Sequence, residues 1–100
     1  MVGIGEGYAT CMTIHEQKQI PMIVCFNAGN MMSVSQKLSD ALTGKEFIIY
    51  ADNDVNEVGV NKAVAAAQVT KAEVVIPEEE GMDFNDQVAV KGELIEKRVH

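Results

Sequence analysis

The 100-residue sequence has little proline and no long apolar run. It contains two prolines, and 47% of its residues are hydrophobic. A chain this apolar buries a core, which excludes an intrinsically disordered protein. No apolar stretch approaches the ~20 residues that a membrane-spanning helix needs. The length suits one core, so we expect a single soluble domain over residues 1–100 that does not bind membranes.

The sequence also lacks the usual signs of secretion and of thiol chemistry. No basic segment followed by a long apolar one marks a secretory signal at the amino terminus. Cys11 and Cys25 form neither a CxxC pair nor the spacing of a zinc site, and no Ser/His/Asp or Cys/His nucleophile set is apparent. These absences favour a cytoplasmic protein whose cysteines are small core residues.

Basic residues are scarce. Eight lysines and arginines stand against fifteen acids, and the net charge is −7. Because phosphate affinity comes mainly from Lys and Arg, this balance argues against a nucleic-acid binder that acts alone. Two interpretations stay open: the partner is not a nucleic acid, or metal ions and basic segments outside this sequence supply the positive charge.

Apolar strand patterns alternate with helical patterns along the chain. Four strands are predicted, the first of them diluted by glycine: residues 2–5, 22–26, 47–51 and 72–77. Four helices are predicted: residues 7–17, 30–42, 56–70 and about 85–90. A final amphipathic helical turn is expected after a break at Gly92. This alternation is typical of an α/β fold with a mostly parallel sheet of about four strands, flanked by helices.

Two polar side chains are predicted to cap helices. Asn30 precedes the second helix, and Gly44 follows it as a stop. Asp83 precedes the last helix, with Phe84 next to it as an anchor for the loop. Polar residues also follow each strand, and the carboxyl ends of parallel strands meet at one sheet edge, where functional groups gather.

Asp52 and Asp54 come directly after the third strand. With Asn53 as a spacer, both can face one point if the backbone leaves the strand there. Mg²⁺ takes oxygen ligands and commonly binds one or two carboxylates while it retains water. The alternative is an ordinary turn, in which Asp54 or Asn56 caps the following helix.

Glu6, after the first strand, favours the metal interpretation. It lies between Gly5 and Gly7, which permit a tight turn and a close approach. Three carboxylates on one edge raise one another's pKa values unless a cation is present. A solvated loop glutamate is the alternative. The dinucleotide motif G-x-G-x-x-G is rejected, because Tyr8 occupies the place of its third glycine.

Four ordered motifs together resemble the Toprim domain, the metal-binding catalytic module of bacterial-type primases, topoisomerases and certain nucleases. They are "EGYATC", "FNAGN", "ADND" and "DFND". They are similar to segments of Toprim domains in primases and primase-helicases of phages, plasmids and integrated mobile elements. The similarity covers almost the whole chain. One departure is Asn27, where the relatives often have aspartate.

The resemblance implies a Rossmann-like Toprim fold and metal-assisted nucleotidyl transfer. Asp52 and Asp54 would hold Mg²⁺ or Mn²⁺, and Glu6 would join them or act as general base toward the primer 3′-hydroxyl. Further oxygens around the metal ligands would come from three residues: Asp83, Asn85 and Asn27.

The implied function is that of a DNA primase module that makes RNA primers during replication of a mobile element. DNA template and nucleoside triphosphates would be bound through a larger parent protein, whose chain carries further primase or helicase domains. The domain alone is expected to be inactive. Two alternatives stay open: a Toprim nuclease or topoisomerase module that cleaves phosphodiesters, and an idle α/β binding module whose acids cap helices.

Overall fold

The structure, a computed structural model, describes residues 1–53, 58–78, 81 and 83–99. The described residues form five strands: β1 (Val2–Gly5), β2 (Met22–Val24), β3 (Phe47–Tyr50), β4 (Glu73–Pro77) and β5 (Glu96–Val99). They also form four α-helices: α1 (Tyr8–Lys18), α2 (Met31–Ala41), α3 (Val58–Thr70) and α4 (Phe84–Lys91). A short 3₁₀ helix, Ala28–Asn30, leads into α2. The predicted start of the third helix at Asn56 lies outside the described residues.

The five strands form one sheet in the order β2-β1-β3-β4-β5. The pairs β2–β1, β1–β3 and β3–β4 are parallel, and β5 is antiparallel to β4. The α/β class and the mostly parallel sheet are therefore confirmed. The chain moves from β1 outward to β2 and then crosses back to β3. The strand order thus reverses between β1 and β3, which is where open sheets of this kind form a crevice.

The two faces of the sheet are covered by different helices. On one face, α2 and α3 pack over an aliphatic core that includes Ile4, Ile49 and Val74. On the other face, α1 and α4 cover a smaller core that contains the two rings of Tyr50 and Phe84. Their centroids are 5.5 Å apart at an interplanar angle of 79°, an edge-to-face contact. No helix in the described part of the chain is long and apolar enough to cross a membrane.

The prediction of a helical turn after Gly92 is wrong, because residues Glu96–Val99 form the fifth strand. Gly92 ends α4 in the left-handed region at φ 76°, and Gln87 then holds the chain that follows. The buried Gln87 side chain accepts a hydrogen bond from Ile95 N–H at 2.8 Å and donates one to the Ile95 carbonyl. An exposed edge strand rich in charge carries no apolar alternation, so its pairing with β4 is not visible in the sequence.

The two predicted helix caps have different outcomes. Asp83 caps α4 as expected, since its Oδ1 accepts a hydrogen bond from Asp86 N–H at 2.7 Å. Asn30 does not cap α2 with its side chain, because its backbone is already helical and its amide bonds elsewhere. The residues of α1 that pack on the sheet are Cys11 and Ile14, whereas the neighbouring Met12 is exposed.

Candidate functional site

A cavity of about 170 Å³ lies beyond the carboxyl ends of β1 and β3, at the reversal of strand order. Glu6 and Asp52 both line it and both are half-buried. Among the described residues, those that line it are Glu6, Gly7, Thr10, Phe26, Tyr50 and Asp52. The fold therefore brings together two carboxylates that are 46 positions apart along the chain (52 − 6).

Glu6 is positioned by close packing at Gly5 and by backbone hydrogen bonds to the loop after β2. A Cβ atom added to Gly5 would lie 2.6 Å from the Cys11 sulfur, so α1 approaches β1 where only glycine fits. Beyond the strands, Cys25 N–H donates to the Gly5 carbonyl at 2.8 Å and Phe26 N–H donates to the Glu6 carbonyl at 2.7 Å. The backbone of Glu6 is thereby tied to the loop that follows β2.

Asp52 is held by its neighbour Asn53. The buried Asn53 side chain donates a hydrogen bond from Nδ2 to the Pro77 carbonyl at 2.9 Å, which ties the end of β3 to the end of β4. The Asn53 carbonyl accepts a second bond from Gly81 N–H. Asn53 thus anchors the segment that carries Asp52. Asp54, the second aspartate of the predicted pair, lies outside the described residues.

The loop after β2 places a strained aromatic residue at the rim of the cavity. Phe26 has φ 71°, in the left-handed region, and 75% of its surface is exposed. Such a conformation costs a non-glycine residue about 1–3 kcal/mol and persists only where its surroundings impose it. Here Asn27 Oδ1 accepts from Asn30 N–H at 2.8 Å, and Asn30 Nδ2 donates to the Cys25 carbonyl at 3.0 Å. These two bonds close the loop on either side of Phe26.

The three residues predicted to supply further oxygens have other partners in the structure. Asp83 caps α4, Asn27 closes the loop around Phe26, and the Asn85 Oδ1 accepts a hydrogen bond from the Thr13 hydroxyl at 2.7 Å. None of the three is among the described residues that line the cavity. Their observed contacts hold loops and helices in place.

The two cysteines lie on opposite faces of the sheet beside this site. Cys25 belongs to the core under α2 and α3, while Cys11 lies on α1 against Gly5. Burial raises the pKa of each thiol to about 11, and the Glu6 carboxylate adds to the effect at Cys25. Both are free thiols. The expectation that they are buried core residues is confirmed.

The carboxylate pair fits a hard divalent cation. Such an ion commonly takes one or two carboxylates and keeps water in its remaining positions, which suits a small cavity lined by two half-buried acids. Within residues 1–53, 58–78, 81 and 83–99, no group of three His, Cys, Asp or Glu side chains is close enough to hold a metal. The expected third carboxylate, Asp54, is outside that part of the chain.

Among the described lining residues, three side chains were not predicted from the sequence: Thr10, Phe26 and Tyr50. Phe26 was placed inside the strand pattern 22–26 and expected to be buried, but β2 ends at Val24. The signal for an exposed Phe26 is its position before "NAGN", a run typical of a turn. Nothing in the sequence distinguishes Thr10 from the other polar positions of α1.

Comparison with known proteins agrees with this architecture. The family model for the Toprim domain matches residues 1–93. DNA primase TraC from Escherichia coli is 32% identical over 81 residues, which is 74% of this chain and 8% of TraC. The chain therefore spans a small part of that relative's length. No solved structure matches the chain. With matched residues covering nearly its whole length, the chain belongs to the Toprim domain family.

Proposed function

We propose that this Toprim domain is the metal-dependent nucleotidyl-transfer module of a DNA primase that makes RNA primers during replication of a mobile element. The observation that carries the proposal is that Glu6 and Asp52 line one cavity at the reversal of strand order. The similarity to a protein named DNA primase favours primer synthesis over phosphodiester cleavage.

Asp52, Asp54 and Glu6 are the residues that would hold Mg²⁺ or Mn²⁺. When bound there, the ion supplies positive charge next to the phosphates of the incoming nucleotide during the displacement. A cation is needed for this role, because carboxylates alone repel a triphosphate.

Glu6 is the candidate general base. Its carboxylate would accept the proton of the primer 3′-hydroxyl as that oxygen attacks the α-phosphorus. The bond from the α-phosphorus to the oxygen that bridges to the β-phosphate would break, and pyrophosphate would leave. The tie between the Glu6 carbonyl and Phe26 N–H, 2.7 Å long, fixes the backbone from which the carboxylate extends. A general base whose backbone is fixed loses little conformational entropy when it reaches the reactive geometry.

The remainder of the activity belongs to a larger protein in this proposal. TraC is far longer than its matched segment, and a chain with eight basic residues has little positive surface for DNA. Template and nucleoside triphosphates would therefore be bound partly by other primase or helicase domains of the same polypeptide.

Metal titration of the 100-residue chain tests the site. Mg²⁺ is expected to shift the amide resonances of Glu6, Asp52 and Asp54 in the millimolar range typical of open sites that keep water, and Mn²⁺ to broaden the same signals. Glu6→Gln and Asp52→Asn should each weaken the effect. Glu16→Gln, an exposed acid on α1, is the matched control and should not. Unchanged spectra at every metal concentration would favour an idle binding module.

Primer synthesis on single-stranded DNA by a protein that contains this chain tests the reaction. Asp52→Asn should lower the rate of synthesis by about 100-fold or more, as expected when stabilisation of transition-state charge is lost. Full synthesis by this variant would contradict the mechanism. Cleavage of the DNA in place of synthesis would favour the nuclease alternative.

A further inference from the structure

Phe26 is exposed beside the carboxylates without a packing role that explains it. It lines the cavity together with Glu6 and Asp52, yet 75% of its surface is accessible. Its backbone is strained at φ 71° and is held there by hydrogen bonds from both sides of the loop. A loop that maintains strain to present a ring to solvent beside a site is a common feature of ligand contacts.

We propose that Phe26 is a stacking platform for the base of the nucleotide that binds at the Glu6 and Asp52 cavity. This inference rests on the proposed nucleotidyl-transfer function and identifies how the nucleotide is held. Aromatic side chains bind nucleobases through their π faces without reading base identity, because every base has such a face. The platform would therefore suit a nucleotide of any sequence.

The size of the cavity supports this placement. Pockets that enclose a small ligand usually measure roughly 300 to 1,000 Å³, whereas this cavity measures about 170 Å³. It is therefore smaller than the pockets that enclose a whole small ligand. A bound nucleotide must therefore extend over the rim, and Phe26 is the exposed aromatic residue that lines it.

The surroundings of Phe26 argue against a protein partner. Its exposed sequence neighbours with described side chains are Asn27, Gly29 and Asn30, and none of them adds apolar side-chain surface next to the ring. Protein interfaces need contiguous apolar surface, but one ring is sufficient to stack on one base. The hydrogen bond from Phe26 N–H to the Glu6 carbonyl also links the backbone of Phe26 to that of Glu6, the proposed general base.

The test compares a nucleotide with its triphosphate part alone. The ¹⁵N-labelled 100-residue chain is titrated in Mg²⁺ with ATP, with CTP and with inorganic tripolyphosphate. Both nucleotides should bind about 10-fold more tightly than tripolyphosphate, as stacking of one base on an aromatic ring implies. The ring protons of Phe26 should shift upfield with the nucleotides and stay in place with tripolyphosphate.

Variants of Phe26 separate the ring from the backbone. Phe26→Leu removes the aromatic face, and Phe26→Asn removes it with a residue that tolerates the left-handed conformation. Both should abolish the 10-fold preference and leave tripolyphosphate binding unchanged, whereas Phe26→Trp should keep the preference. Tyr8→Leu is the matched control, because Tyr8 is an exposed aromatic residue that is not among the lining residues.

Each outcome decides the proposal. Equal binding of nucleotides and tripolyphosphate by the unaltered chain overturns the stacking role and leaves the metal site in place. A preference that survives both Phe26→Leu and Phe26→Asn, or that Tyr8→Leu reduces equally, also overturns it. Failure of Mg²⁺ and tripolyphosphate to bind at Glu6 and Asp52 overturns the proposed function, and the stacking role with it.

Discussion

Two phenylalanines, Phe26 and Phe84, both follow a strand on the carboxyl side of the sheet and have opposite surroundings. Phe84 begins α4 after the Asp83 cap, is fully buried and contacts Tyr50 edge to face. Phe26 follows β2 in a strained conformation and is largely exposed. Side-chain hydrogen bonds lie next to both rings: Asp83 caps α4 at Phe84, and Asn27 and Asn30 close the loop around Phe26.

The different surroundings of the two rings indicate different roles, one in stability and one at the candidate site. At Phe84, the helix cap and the buried ring act together, so we expect this ring to contribute strongly to stability. At Phe26, the hydrogen bonds hold a strained backbone and the ring is exposed, so we expect this residue to contribute little to stability. Strain kept by its surroundings is typical of functional sites.

The largest loss of stability is expected from Phe84→Ala. Truncation of a fully buried phenylalanine costs about 3–5 kcal/mol of unfolding free energy, a large share of the stability of a small domain. Phe26→Ala is the matched control and should change stability by less than ~1 kcal/mol, because its ring is exposed. Urea unfolding followed by circular dichroism measures both. Similar losses in the two variants would remove the contrast between the regions.

The second largest loss of stability is expected from Gln87→Leu. Leucine keeps most of the volume but leaves Ile95 N–H without its side-chain acceptor, which should cost about 2 kcal/mol. Hydrogen exchange at the amides of β5 should speed up more than elsewhere. Asn85→Ala, on the same helix with an exposed hydrogen bond to Thr13, should cost less than ~1 kcal/mol. A uniform change in exchange would show that Gln87 does not specifically hold β5.

A smaller loss, about 1–2 kcal/mol, is expected from Gly5→Ala, because the added methyl group would lie 2.6 Å from the Cys11 sulfur. Gly7→Ala is the control, since a Cβ atom there meets nothing within 4 Å. Calorimetric melting of Gly5→Ala, of Cys11→Ala and of the double variant gives the coupling free energy between the two positions. If the two losses of stability simply add, the Cys11 sulfur is not what the added methyl group meets.

The smallest change in stability is expected from Phe26→Gly, and it is a gain. Relief of the left-handed strain should exceed the extra flexibility of glycine in the unfolded chain and raise stability by about 0.5–1 kcal/mol. Urea unfolding measures the change. A loss of stability would show that the exposed ring packs on the domain and that the strain at this loop is minor.

The sequence predicted the parallel part of the sheet because its apolar runs at β3 and β4 are buried on both faces and leave an unbroken pattern. It also predicted that Glu6 and Asp52 lie at one edge of the sheet, since residues that follow parallel strands share one edge. It did not predict β5, whose charged residues form a strand only through pairing with β4. It misplaced Phe26, because an apolar residue at the end of a strand pattern looks like core.

Local patterns of the sequence alone determined the α/β class, the helix cap at Asp83 and the carboxylates at the strand ends, because each depends on neighbours a few positions away. The tertiary structure decided the reversal of strand order between β1 and β3 and the fifth strand. It also decided the exposure of Phe26 beside Glu6. These features depend on hydrogen bonds and packing between segments far apart in the chain, which local periodicity does not encode.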